Sequence, residues 1–222
     1  MKIYVVIPTF NESSVIREVI ESVLQFGYRV IVVDDGSFDR TSEIAAELPV
    51  ILIRHSVNLG QGAALETGME AARRLNGDFV VHFDGDGQHW ASEIQHLLKP
   101  LIHGECDIVF GSRFLNGKPV QAGIIKRIVL FAGRWINYAL TGLLLSDAHN
   151  GFRALNKKAL WSVHFEQPGM AHATEILACV QKFSLRYQEI PVHVDYTVYS
   201  KRKGQRLSES LTILFHLLFK RN

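Results

Sequence analysis

The sequence predicts an α/β domain built on an open, mostly parallel sheet. Apolar runs of strand length alternate with amphipathic stretches of helix length, and a polar cluster follows each early strand. The 222 residues, 47% hydrophobic and 21% charged, suit one ordered core. Alternation of this kind implies right-handed βαβ crossovers.

Short buried strands are expected at residues 2–7, 30–33, 50–53, 79–83 and 107–110. Between the first two, Val15, Ile16, Val19, Ile20, Val23 and Leu24 recur at helical spacing over 13–26, and Gly27 supplies a stop. Further helices are expected at 39–48, 62–75 and 92–102. Beyond residue 115 the alternation weakens. Residues 124–145 read as a long helical region, 173–183 as a helix and 186–194 as an extended segment. A short amphipathic helix at 207–219 is apolar enough to need a partner or an interface. With no internal repeat or linker, residues 1–222 read as one domain with halves at 1–115 and 116–222.

The polar clusters at 8–12, 34–37, 55–62, 84–89 and 111–114 all fall at the carboxyl ends of expected strands. In an open α/β sheet those ends form one rim, which is where ligands bind. The rim is therefore the expected active site.

Charge is uneven. The net charge is +2, but residues 196–222 hold six basic residues against Glu209, so that segment carries +5 and the remainder −3. A basic, partly apolar tail points to an anionic surface or substrate, with a solvated tail as the alternative. Cys106 and Cys179 form no ligand motif and suit a reducing compartment as small core residues. No cleavable leader is expected, and no apolar run reaches the roughly 18–20 residues that span a bilayer.

Asp84-Gly85-Asp86-Gly87-Gln88 sets three oxygen-bearing side chains at alternate positions after a strand, with glycines allowing close backbone approach. Hard divalent cations such as Mg²⁺ take a few carboxylate or carbonyl oxygens and complete their shell with substrate phosphates. A capped turn would explain one Asp but not two with a Gln. Asp34-Asp35-Gly36-Ser37 is a second acidic turn, whose carboxylates could accept hydrogen bonds from a base or ribose. Turn and N-cap chemistry is its alternative, and Asp39 before Thr41 fits that role. Pro-Thr-Phe-Asn-Glu replaces the glycine-rich turn of dinucleotide enzymes after the first strand, which argues against NAD chemistry.

In this order, VIPTFNE, VVDDGSFDRT, NLGQGAALETG, FDGDGQH, GSRF and NGFRA resemble family 2 glycosyltransferases of the GT-A fold, over roughly residues 1–160. Within them the similarity is greatest to the dolichyl- or polyprenyl-phosphate sugar transferases. The resemblance implies a Rossmann-like nucleotide-sugar domain with nucleotide contacts from Pro8, Asn11, Glu12 and Asp35, and with Asp34 and Asp84 beside them. It implies metal ligation by Asp84, Asp86 and Gln88, with Mg²⁺ or Mn²⁺ as the cofactor. It also implies that Arg113 meets the acceptor phosphate, helped by Lys126 or Arg127, with Arg202 and Arg206 in the loosely matching YSKRKGQR segment. Residues 1–115 would then form the nucleotide-sugar and metal half and 116–222 the acceptor half. The sequence departs from the family's usual Ser-Gly-Phe, having Asn150-Gly151-Phe152.

The expected reaction is an inverting displacement from a nucleoside-diphosphate sugar, UDP favoured and GDP admitted. The acceptor is a polyprenyl phosphate at the cytoplasmic face of a membrane, reached by peripheral contact, with a homo-oligomer or small membrane partner as options and no nucleic acid. A lipid phosphate needs no general base; a glycan hydroxyl, the alternative acceptor, would need one, with Glu175 preferred over Asp147. A catalytically silent nucleotide-binding subunit is the remaining alternative, and the intact Asp84, Asp86 and Gln88 set argues against it. His82, His89, His96 and His103 recur every seven residues, about 10.5 Å apart on a helix, so neighbours cannot share one metal. His89 is expected near the diphosphate. Trp90, Trp135 and Trp161 read as core or interface residues, with Trp90 close to the rim.

Overall fold

Seven strands form one mixed sheet in the order β3-β2-β1-β4-β6-β5-β7. They are β1 (Ile3–Thr9), β2 (Arg29–Asp34), β3 (Ile51–Arg54), β4 (Phe79–His82), β5 (Ile108–Ser112), β6 (Arg153–Asn156) and β7 (Tyr187–Pro191). The computed structural model describes residues 1–115, 138, 142–143, 145–148, 150–167, 169 and 172–195. The helices among them are α1 (Ile16–Leu24), α2 (Thr41–Ala46), α3 (Gln61–Arg74), α4 (Ile94–Ile102), α5 (Lys157–Ser162) and α6 (His172–Lys182). A 3₁₀ turn, Ala91–Glu93, leads into α4. The expected helical region at 124–145 lies almost wholly outside the described residues, as does all of 207–219.

The central strands are buried on both sides, which is why they read as continuous apolar runs. Alternate residues serve opposite faces. Val6, Ile31, Val33 and Val80 pack with Leu65 and Met69 of α3, Leu160 of α5 and Ile176 of α6. Val5, Ile7, Val30, Val32 and Val81 pack with Ile16 and Ile20 of α1 and Ile94 and Leu98 of α4. The parallel register pairs Thr9 with Asp34 and Val6 with His82, so β1, β2 and β4 end at one rim. Gly27 adopts a left-handed φ of 76° where α1 was expected to stop.

The sheet departs from the expected run of parallel strands at one place. β6 inserts antiparallel between β4 and β5, pairing Val81 with Ala154 and Val109 with Ala154. Its four residues, Arg-Ala-Leu-Asn, are too few and too polar to show strand periodicity in sequence. Asn156 ends the strand and caps α5 by accepting from Ala159 N at 2.9 Å. Cys106 is buried in the core and Cys179 is partly buried; neither is in a disulfide.

Candidate active site

The rim is assembled by hydrogen bonds that cross from one strand's loop to the next. Asn11, held at φ 55°, donates its backbone N–H to Ser37 Oγ at 2.9 Å and accepts from Phe38 N at 2.9 Å. The Glu12 backbone N–H donates to Thr41 Oγ1 at 2.8 Å. The loop after β1 is thus fixed to the loop after β2 before any ligand arrives.

The two acids of that second loop differ. Asp34 is fully buried and faces inward; Ser37 donates to it from both its backbone and its hydroxyl. Asp34, expected as a nucleotide contact, therefore also has a place in the turn. Asp35 accepts from Leu59 N at 2.9 Å and Gly60 N at 2.7 Å, and His55 Nδ1 lies 2.7 Å from it. His55 also reaches Thr67 Oγ1 at 2.9 Å. Sequence reading passed over His55, although it stands in the polar cluster after β3. Asp35 therefore organises the start of α3 as well as bordering the rim.

Asp84 and Asp86 stand at the end of β4 in a turn closed by Gly87, φ 75°. Asp84 accepts from Gln61 Nε2 at 3.1 Å and lies 3.2 Å from His89 Nε2. His89 thus meets Asp84, one of the expected metal ligands. Gly151 presses against the same carboxylate: a Cβ there would stand 2.6 Å from Asp84 Oδ1. That close approach gives a physical reason for glycine in the NGFRA motif.

Charges in this turn are unevenly balanced. Burial pushes Asp84 up, but the hydrogen bond and charge of His89, with Arg153 and His172 beyond, hold it below its usual value. Asp86 is less well compensated. Burial, then the Asp84 charge and more weakly Glu12, push it up to about 6 against the backbone N–H of Gln88 and the charge of His89. Beneath the turn, His82 is buried with neither ring nitrogen hydrogen-bonded, and burial followed by the Arg153 and His172 charges lowers it to about 3. Arg153 remains a cation: burial lowers it only to about 10, while Asp84 and Asp147 favour its charge.

On the other side of the site, Arg113 follows β5 and forms a bidentate pair with Asp147, Nε to Oδ2 at 2.7 Å and Nη2 to Oδ1 at 2.8 Å. Its backbone N–H donates to the same carboxylate at 3.1 Å. Asp147, one candidate base, is 4% exposed and bound on both oxygens. Glu175, the preferred base, accepts from the backbone N–H groups of Glu166 at 3.0 Å and Gln167 at 3.2 Å, which gives it a structural task. Lys126, Arg127, Arg202 and Arg206 lie outside the described residues, as does Trp135. Trp90 and Trp161 are not core residues; they are 44% and 53% exposed.

The sheet thus brings the acidic turns after β2 and β4 to one rim, an arrangement that open α/β enzymes use for ligand binding. The chain belongs to glycosyl transferase family 2, whose model matches residues 4–164. It is a glycosyltransferase. It is 32% identical to UDP-N-acetylglucosamine--dolichyl-phosphate N-acetylglucosaminyltransferase of Methanococcus voltae, covering 97% of this chain and 94% of that protein. It is also 32% identical to dolichol-phosphate mannosyltransferase of Pyrococcus furiosus, over 98% of this chain and 64% of the relative. The fold matches glucosyl-3-phosphoglycerate synthase of Mycobacterium tuberculosis, crystallised with Mn²⁺ and UDP-glucose, at a TM-score of 0.73 and 20% identity, over 98% of this chain and 76% of that one.

Proposed function

We propose that this glycosyltransferase moves a sugar from a nucleoside-diphosphate sugar to a polyprenyl phosphate at a membrane surface, inverting the anomeric centre. One observation carries the choice of acceptor. Asp147 and Glu175, the two candidate bases, are both committed, the first to Arg113 and the second to the 166–167 backbone. A lipid phosphate oxygen is already anionic and needs no base. It attacks the anomeric carbon as the bond to the nucleoside diphosphate breaks, and the electron pair leaves on the diphosphate oxygen.

Pro8, Asn11, Glu12 and Asp35 border the space for the nucleotide, and Arg113 directs the acceptor phosphate. Lys126 or Arg127, with Arg202 and Arg206, are the further cations proposed for the acceptor phosphate. Asp84, Asp86 and Gln88 suit Mg²⁺ or Mn²⁺: all offer oxygen, and the two acids lie close enough that one raises the other. Among the described residues no three His, Cys, Asp or Glu side chains converge, so ligand phosphates would complete the shell. A cation held there by Asp84, Asp86 and Gln88 would neutralise charge on the departing diphosphate.

UDP is favoured as the donor nucleotide because the Methanococcus relative is named for a UDP-sugar. No described helix is long and apolar enough to cross a membrane. The basic excess in 196–222 supports peripheral attachment on the cytoplasmic face. Residues 1–222 act as one domain in this reading, with donor and acceptor halves meeting at Arg113.

The test offers UDP- and GDP-sugars with Mg²⁺ or Mn²⁺ to polyprenyl phosphate and separately to a glycan. Labelling of the lipid phosphate by wild type and by Glu175→Gln, within a few-fold of each other, is expected. Labelling of the glycan alone, with Glu175→Gln reduced by about 10²–10⁴-fold, would instead make Glu175 the base.

A further inference from the structure

The turn that carries Asp86 and Gln88 is held from outside by the chain leaving β7. Asp195 donates its backbone N–H to the Gln88 carbonyl at 2.9 Å, and His89 bridges Val194 in antiparallel fashion. Trp90 Nε1 donates to Asp195 Oδ2 at 2.6 Å. The indole stacks on the His193 ring, with centroids 4.8 Å apart and planes inclined by 13°. His193 is anchored in turn by Glu93, which is buried: its carboxylate accepts from His193 N at 2.9 Å and meets Nδ1 at 2.6 Å.

These contacts join residues about a hundred positions apart in sequence, at the edge of the core cluster that includes Ala91, Ile94 and Val192. Gly85 and Gly87 bring no side chains of their own to anchor the turn, so contacts from outside it fix its place. Gln88 is gripped at both ends, its N–H donating to Asp86 Oδ1 at 3.1 Å and its carbonyl accepting from Asp195. A turn fixed in advance binds its ligand without first losing conformational freedom.

We propose that Trp90, His193 and Asp195 form a clamp that positions Gln88 for the divalent cation, making them positioning residues for metal binding. This rests on the reading of Gln88 as a metal ligand. The clamp acts through Gln88 and leaves the nucleotide contacts of the other loops untouched.

The test measures Mn²⁺ affinity of the full chain by electron paramagnetic resonance at saturating UDP, alongside UDP affinity in EDTA and metal-free thermal unfolding. Trp90→Phe keeps a stacking ring but loses the N–H. Asp195→Ala loses the acceptor but keeps the backbone donor, and Asp195→Asn keeps an acceptor oxygen. Trp90→Phe and Asp195→Ala should each weaken Mn²⁺ binding by about 5–10-fold, the double variant no further than either. Asp195→Asn should restore near-normal binding, while UDP affinity in EDTA and Tm stay near wild type. Unchanged Mn²⁺ affinity in both single variants, or losses that only follow a fall in Tm, would overturn the clamp. So would a loss that persists undiminished in a Gln88→Ala background. Gln88→Ala separates the two readings. If it weakens Mn²⁺ binding while the clamp variants do not, the clamp alone fails; if it has no effect, the metal-ligand reading fails and takes the clamp with it.

Discussion

The carboxylates of the two halves of the site live under opposite conditions. On the donor side, Asp84 and Asp86 share one short turn, and Asp86 is pushed up to about 6 by burial and by its neighbour's charge. On the acceptor side, Asp147 is matched by Arg113 at 2.7 and 2.8 Å, and Glu189 is satisfied by Ser146, whose N–H and hydroxyl donate at 2.8 and 2.7 Å. One half stores negative charge that a cation would relieve. The other has already balanced its charges and holds an arginine in a fixed orientation. Active sites keep such local imbalance where a ligand is to correct it, which is why the proposed metal belongs with Asp84 and Asp86 and not with Asp147.

The strongest way to break this comparison is Asp86→Ala. Removing the uncompensated acid should lower transfer by about 10²–10³-fold, the scale of losing one preorganised electrostatic contact in a transition state. Activity within a few-fold of wild type in a transfer assay would mean that the donor-side charge is not used in catalysis. Next in size is Gly151→Ala. The added methyl would force Asp84 aside, and an overpacking cost of about 1–3 kcal/mol, if borne by the metal complex, corresponds to roughly 5–150-fold weaker Mn²⁺ binding. Titration calorimetry with UDP present would read it, and unaltered affinity would show that Asp84 can move without cost.

Stability should respond with opposite signs on the two sides. Asp147→Asn removes the charge that Arg113 is paired with and should destabilise the fold by about 1–3 kcal/mol in urea unfolding. Asp86→Asn removes a like charge and, without metal, should stabilise by about 1 kcal/mol after allowing for its partial exposure. That same variant should lose the rise in Tm that Mn²⁺ and UDP give the wild type. If both substitutions destabilise alike, the contrast between the halves is wrong.

The strands and turns up to Gln88 were far more legible in sequence than the surroundings of Arg113, and particular residues show why. Val5, Val6 and Ile7 announce a buried central strand because both faces are covered, and Asp84 to Gln88 announce chemistry because acids and glycines alternate within five residues. β6 left no such trace: Arg153 interrupts its short apolar pattern, and its neighbours β4 and β5 come from distant parts of the chain. Pairings across long separations, such as Arg113 with Asp147 or Trp90 with Asp195, have no local signature at all. The same limit explains Asp34 and Asp35. Adjacent acids in one turn look equivalent in sequence, and only the path of the backbone decides that one faces Ser37 and the other the start of α3.

A smaller effect sharpens the comparison from within the donor half, where Asp39 is an acid with a purely structural place. Burial pushes its carboxyl up, but hydrogen bonds from Thr41 and Ser13 outweigh that and bring it down to about 2. It accepts from Thr41 N at 3.0 Å and Ser13 N at 3.1 Å, joining the start of α2 to the loop after β1. Because the folded value lies below the ordinary 3.8, the stabilisation is fully present above about pH 4 and is lost as pH falls through 2. Asp39→Asn, which keeps one acceptor oxygen, should therefore cost about 0.5–2 kcal/mol near pH 6. The gap between the two proteins should narrow as the pH approaches 2. Urea midpoints measured across that range check it, and a gap that stayed constant to pH 2 would mean that the charge of Asp39 does not hold the turn.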